Sequence, residues 1–415
     1  MGGAGGARQP KTVFRGGFGI FYERFSENLT LQTIRFDGTS QLSYNVNSFE
    51  TDPVRRAQAI AILSQPIFTL NGVTNVPTAA QVGILSPLTN TIRQTSDDLR
   101  TPYTMQYALG LERQLPYKTT MAIFYIGSRT NNLLRTRNVN APVCATPTNC
   151  VGAVRPNPLL GNIYEYESTG VLDQQQVIFN FRTLISNKIT MFGNYRLGFA
   201  KSDSDGVGSF PAYSYDLTDE YGSSLLDVRH NFFFGGSITM PWKVRVSPFI
   251  IASSGRPFNI TLGAPDLNGD GIFTERPTYA QLNARCQQLG LTNSWCNIGD
   301  VSNVNATIPR NYGRGPSYFA VNLNISSTFG FGGEKNTAQT TTQQPQGGGG
   351  GNFPVGRGGG GGNRGGGGGM FGGGGGNSPY NLTLGLNINN LFNNVNFNTP
   401  IGVLNSTRFG QSTST

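Results

Sequence analysis

The residues best placed to do chemistry lie in DLNGDGIFTE (266–275). Asp266, Asn268 and Asp270 stand at alternate positions, with Gly271 next. That spacing matches the first half of an EF-hand-type calcium loop, where side-chain oxygens converge around a sharp glycine turn. The twelfth position of such a loop needs a bidentate Glu and here is Pro277, so Glu275 is the available substitute. The competing reading is a surface loop rich in Asx-turns, its carboxylates spent on their own backbone. Structural calcium is the one candidate cofactor.

Cysteine offers a second chemistry. Cys144 and Cys150 flank ATPTN, and Cys286 and Cys296 flank QQLGLTNSW. Four cysteines allow three disulfide connectivities, and zinc is a rival, but neither pair has C-x₂-C spacing. Local pairing, as staples within two long loops on an oxidising side, is the expectation. The sequence has one histidine, His230. That removes most routes to a Ser/His/Asp triad or a His-ligated metal. No catalytic residue and no enzymatic activity are expected, and His230 is read as an interfacial or loop-contacting residue. Arg357 and Arg364 each precede two glycines, a spacing used by RNA-binding segments. Two repeats are too few, and the remaining Lys and Arg are scattered despite a net charge of +9, so no nucleic-acid partner is expected.

The elements that position these residues follow from composition and periodicity. Charged residues make up 13% of the chain, about half the usual globular share of ~25%. No apolar run reaches the ~18 residues of a membrane-spanning helix. Strict period-two alternation occurs instead, in segments near the ~9–11 residues of a tilted spanning strand. In 317–331, Phe319, Val321, Leu323, Ile325 and Phe329 oppose Ala320, Asn322, Asn324, Ser326 and Thr328. In 380–390, Tyr380, Leu382, Leu384, Leu386 and Ile388 oppose Asn381, Thr383, Gly385, Asn387 and Asn389. The segment 227–241 repeats the pattern, and weaker versions fall at 12–23, 102–114, 119–128, 174–185, 188–200 and 244–256. Pro248 weakens the last, since proline cannot donate to a ladder.

A soluble β-sandwich would also alternate. Two features favour a transmembrane antiparallel β-barrel. The second face is rich in Asn, Ser, Thr and Gly, as a wet lumen requires. Short links at 115–118, 186–187 and 242–243 also alternate with long segments at 24–101, 129–173, 201–226 and 257–316. Outer-membrane barrels show that asymmetry, with tight periplasmic turns and long extracellular loops. Trp242, Tyr103 and Phe14 fall near strand ends, where aromatic girdles form. The glycine-dominated stretch within 333–379 cannot bury enough apolar surface to order itself and is read as an insertion.

Several blocks carry a family resemblance: RGGFGIFYERFSENL (15–29), LRTPYTMQYALGLERQLP (99–116), DVRHNFFFGGSITMPW (227–242), SPFIIASSGRPFNIT (247–261), IPRNYGRGPSYFAVNLNISSTFGFG (308–332) and NNLFNNVNFNTPIG (389–402). Together they resemble the Oar-like branch of TonB-dependent receptors. The resemblance implies a bacterial outer-membrane location, contact with outer-membrane lipid, an unidentified extracellular ligand, and coupling to TonB through a plug domain. It also implies a larger parent barrel. Residues 1–415 contain no match to a plug, MGGAGGARQP has no apolar core of a signal peptide, and TRFGQSTST is not a terminal strand. The expectation is a partial, open barrel of about nine meander strands. The alternative function is a surface adhesion or structural protein, which long Asn- and Thr-rich loops would also suit.

Overall fold

The computed structural model describes residues 11–41, 46, 48, 52–66, 75–85, 91–145, 150, 152–299, 301–332 and 380–414. Within these, the strands are β1 (Thr12–Tyr22), β2 (Ile92–Thr95), β3 (Tyr103–Leu115), β4 (Thr119–Asn138), β5 (Ile163–Ser186), β6 (Ile189–Ser202), β7 (Gly222–Ser223), β8 (His230–Thr239), β9 (Val244–Ser253), β10 (Pro257–Phe258), β11 (Gly313–Arg314), β12 (Tyr318–Phe331) and β13 (Tyr380–Ile388). Nine of them form one antiparallel meander in the order β1-β3-β4-β5-β6-β8-β9-β12-β13. All nine alternating segments of the sequence are strands of this open sheet, with β1 and β13 at its edges.

Register carries the alternation from strand to strand. Phe14 faces Leu111 on β3, Leu111 faces Ile123 on β4, and Ile123 faces Phe179 on β5. Farther along, Phe234 faces Ile250, which faces Val321, and Ile325 faces Leu386. One face is therefore apolar across every strand, and much of it is exposed: Phe18 by 67% and Leu384 by 58%. Val321 lies on this face but is buried, where Leu391 folds back to donate its N–H to the Val321 carbonyl. A continuous exposed band of this kind suits hydrocarbon and not water. No helix among the described residues is long and apolar enough to cross a membrane.

The opposite face carries Gln106, Asn180, Asn194, Asn231, Asn322, Asn324 and Asn387, joined by bonds such as Asn324–Asn387 and Asn194–Asn180. It is not purely polar, because Phe192, Phe233 and Phe249 pack together on it. Glycine makes room for aromatic rings on both faces. A Cβ at Gly127 would meet the Tyr107 ring at 2.3 Å, and one at Gly110 would meet Phe124 at 2.4 Å.

Several expectations need correction. Pairing is not only between sequence neighbours, since β2 joins β5 in parallel and β10 and β11 form a separate small sheet. Helices α1 (Glu27–Arg35), α2 (Pro53–Leu63), α3 (Ala79–Leu85) and α4 (Tyr279–Leu289) lie in two of the long connections of this all-β architecture. β4 and β5 run to 20 and 24 residues, about twice what a bilayer crossing needs. Much of the segment read as loop 129–173 thus continues the sheet beyond the membrane span. Pro248 sits inside β9 where the register to β8 lapses, between Gly235–Phe249 and Ile238–Val246. The glycine-rich segment 333–379, including Arg357 and Arg364, lies outside the described residues.

Candidate functional site

The chemistry-bearing residues gather at the end of the sheet opposite its tight turns. There the β4–β5 extension, the connections 203–229 and 254–317, and the chain after β13 build a cap. Its apolar core is Phe258, Ile260, Leu262, Leu282, Cys286, Trp295, Cys296, Ile308, Leu404 and Phe409. α4 supplies Leu282 and Cys286 from one face. Thr278 caps it by accepting from the Gln281 N–H, Gln281 returns the bond, and Gly290 closes it in the left-handed conformation. Sulfur atoms join Cys286 to Cys296 within this core, and Cys144 to Cys150 in the β4–β5 connection. The capping pattern Thr278-x-x-Gln281 followed by Gly290 was a readable helix signal that the strand periodicity overshadowed.

A network of buried ion pairs ties the cap to the sheet. Arg135 on β4 bonds Asp203 at 2.5 Å, and Arg137 bonds Glu167 at 2.9 Å. Glu220 receives Arg276 at 2.9 Å and lies 3.7 Å from Arg310, which also bonds Asp205 at 2.8 Å. Arg314 and Arg229 both pair with Asp227. Arg276 and Arg310 from the 254–317 connection meet Glu220 and Asp205 from the 203–229 connection, and Arg135 on β4 meets Asp203, so these pairs fix one segment against another. Such pairs specify geometry more than they add stability, because desolvation consumes most of the attraction. None was identified from the sequence.

Within the cap, the 266–275 segment turns tightly, with Gly269 and Gly271 at φ of 70° and 77°. Asp266 accepts the N–H groups of Gly269 at 2.8 Å and Gly271 at 2.6 Å. Asn268 Oδ1 accepts from the Asp270 N–H at 3.0 Å, and Asp270 Oδ1 from Ile272 at 2.7 Å. Glu275 Oε1 accepts from Leu267 at 3.1 Å and Asn268 at 3.4 Å. The sequence-predicted residues are thus brought together, Asp266, Asn268 and Asp270 in Asx-type bonds to their own turn and Glu275 on the backbone of Leu267 and Asn268. Burial pushes both the Asp270 and Glu275 carboxyls up to about 7, and the nearby Asp266 adds to each shift. Among the described residues, no three His, Cys, Asp or Glu side chains form a ready metal-binding group.

His230 lies apart from this site, on the exposed apolar face, where its Nδ1 hydrogen-bonds the Tyr195 hydroxyl at 2.8 Å. Trp242 is 89% exposed in the turn before β9. Tyr103 packs against Tyr22 at the cap end of the sheet, and Phe14 is exposed on β1. A shallow cleft of about 400 Å³ opens beside the cap core, lined in part by Trp295, Arg314, Pro316 and Phe397.

Residues 4–343 match the family model described as an outer membrane beta barrel domain. The chain belongs to the outer membrane beta barrel domain family. The apolar face of this outer-membrane domain therefore meets lipid. Among solved structures, the domain is similar to the outer membrane transporter YddB from Escherichia coli, with 12% identity and a TM-score of 0.40 over 76% of this chain. It is also similar to the FrpB iron transporter from Neisseria meningitidis, with 7% identity and a TM-score of 0.32 over 57% of this chain. The chain spans 32% and 26% of those two proteins. No curated protein matches the sequence.

Proposed function

We propose that this barrel domain forms the wall and the ligand-capturing outer surface of a TonB-energised receptor that takes up a large or scarce nutrient. The construction of the cap carries the reading. A barrel wall needs only short loops to stay in a bilayer, whereas this one supports a second hydrophobic core, two disulfides and a web of buried Arg–carboxylate pairs. Rigid scaffolding of that kind serves a surface that must hold polar groups in fixed positions for a ligand. The cleft beside Trp295 and Arg314 offers an aromatic edge and polar groups, at a size within the ~300–1,000 Å³ of small-ligand sites. The Asn-rich inner face supplies a wet path, and TonB would act through a plug domain.

The test compares wild-type and deletion strains for depletion of solutes from a defined medium, with and without a protonophore. Uptake of at least one solute that is lost both on deletion and on de-energisation supports the reading. Unchanged uptake, with reduced attachment to surfaces or neighbouring cells, would replace it with the adhesion role.

A further inference from the structure

Five acidic side chains are buried in this chain's described residues: Glu167, Glu220, Asp227, Asp270 and Glu275. The first three each have an arginine within ion-pairing distance. Asp270 and Glu275 have none. Asp266, in the same turn, has none either. Arg155 reaches this turn, but its guanidinium is spent on the carbonyls of Asn140 at 2.7 Å and Gly269 at 3.2 Å and on the Asn162 side chain at 2.8 Å. Arg155 is drawn electrostatically to Asp270 and Asp266, but one guanidinium cannot balance three carboxylates.

A second observation concerns one atom. Glu275 is 3% exposed, and its Oε2 is buried without any hydrogen-bond partner. The sister oxygen bonds the N–H groups of Leu267 and Asn268, so the carboxylate points into the Asp266–Asp270 turn. Protonation would relieve the repulsion, but a protonated Oε2 would need an acceptor and has none. A bare buried carboxylate oxygen without a donor is strongly destabilising.

From the free oxygen, the missing counter-ion and the Asp266-x-Asn268-x-Asp270-Gly271 spacing, we infer that this turn binds one calcium ion, held by Asp266, Asn268, Asp270 and Glu275. The segment contains no imidazole or thiolate, which excludes soft-metal ligation. Its donors are carboxylate and amide oxygens in an irregular loop, which suits calcium over magnesium, since magnesium demands near-octahedral geometry and keeps its waters. The carboxylates are gathered but not closed into a coordination sphere, and a bound ion would draw them in. Its role would be to lock the 254–317 connection onto the β4–β5 connection, since the Asp270 carbonyl accepts from Asn162 at 2.7 Å. The inference is independent of what the receptor transports.

Hydrogen exchange on the detergent-solubilised full-length receptor tests it, with calcium, magnesium or chelator added. Calcium at about a hundred times its Kd should slow exchange in peptides covering 266–276 by up to about a hundredfold. Magnesium should not match it. Equilibrium dialysis with radioactive calcium should show one ion fewer per chain in Glu275→Gln than in the wild type. No calcium-dependent protection in this segment of the wild-type protein would overturn the inference, whether or not the variant assembles. So would protection and ion count equal to wild type in a folded Glu275→Gln.

Discussion

Glu220 pairs with Arg276 at 2.9 Å and lies 3.7 Å from Arg310. Arg276 is 2% exposed at its side chain and Glu220 is 3% exposed. Removing the acid leaves a buried guanidinium without its counter-ion, a change that costs about 3–5 kcal/mol. Glu220→Ala should therefore loosen the cap by that amount, and Glu220→Gln by less, because the amide still accepts a hydrogen bond. Trp295 reports this directly: it is buried in the cap core, while the only other tryptophan, Trp242, sits exposed at the far end of the sheet. A denaturant midpoint for buried-tryptophan emission that matches wild type in Glu220→Ala would show that the network does not support the cap. At this scale, legibility depended on chain separation. The cysteine pairs are 6 and 10 residues apart and could be matched by proximity. Arg276–Glu220 and Arg310–Asp205 span 56 and 105 residues, and nothing in local sequence says which acid meets which arginine.

Leu323 and Asn324 are neighbours on β12 that the pleat sends to opposite faces. Leu323 lies between Pro248 and Ile388, whereas Asn324 lies between Ser247 and Asn387. Arginine at position 323 would enter lipid and should cost about 2–4 kcal/mol at mid-membrane depth. Asn324→Arg should be tolerated, since its face is already polar. Heat-modifiable mobility of the assembled barrel on gels reads both. Normal assembly of Leu323→Arg beside failure of Asn324→Arg would mean that the faces are reversed. The strands were legible because a period of two is written wherever one face meets lipid and the other water. Their extension in β4 and β5 was not, because residues 131–138 and 163–172 have left the bilayer and no longer alternate strictly. The helices were missed for a related reason: α4 is signalled only by its caps, Thr278, Gln281 and Gly290.

The two ends of the sheet differ throughout the molecule. β3–β4, β5–β6 and β8–β9 are joined by a few residues at one end, and the cap occupies the other. β12 ends and β13 begins at the tight-turn end, because Phe331 faces Tyr380. The segment 333–379 therefore joins strands on the side away from the cap, where loop-closure entropy tolerates length at about 0.6 kcal/mol per doubling. The sequence carried this much, since counting short and long links fixes the direction of each strand. It did not carry the cap, whose core joins Phe258, Trp295 and Phe409 from distant segments. The most direct test of an outer-membrane sheet with its cap outside is epitope accessibility in the full-length protein on whole cells, with one tag at Ser302 in the cap and another at Gly360. The account predicts antibody labelling of the Ser302 tag on intact cells, and of the Gly360 tag only after the outer membrane is permeabilised. Labelling of the Gly360 tag on intact cells, with the Ser302 tag shielded, would contradict it.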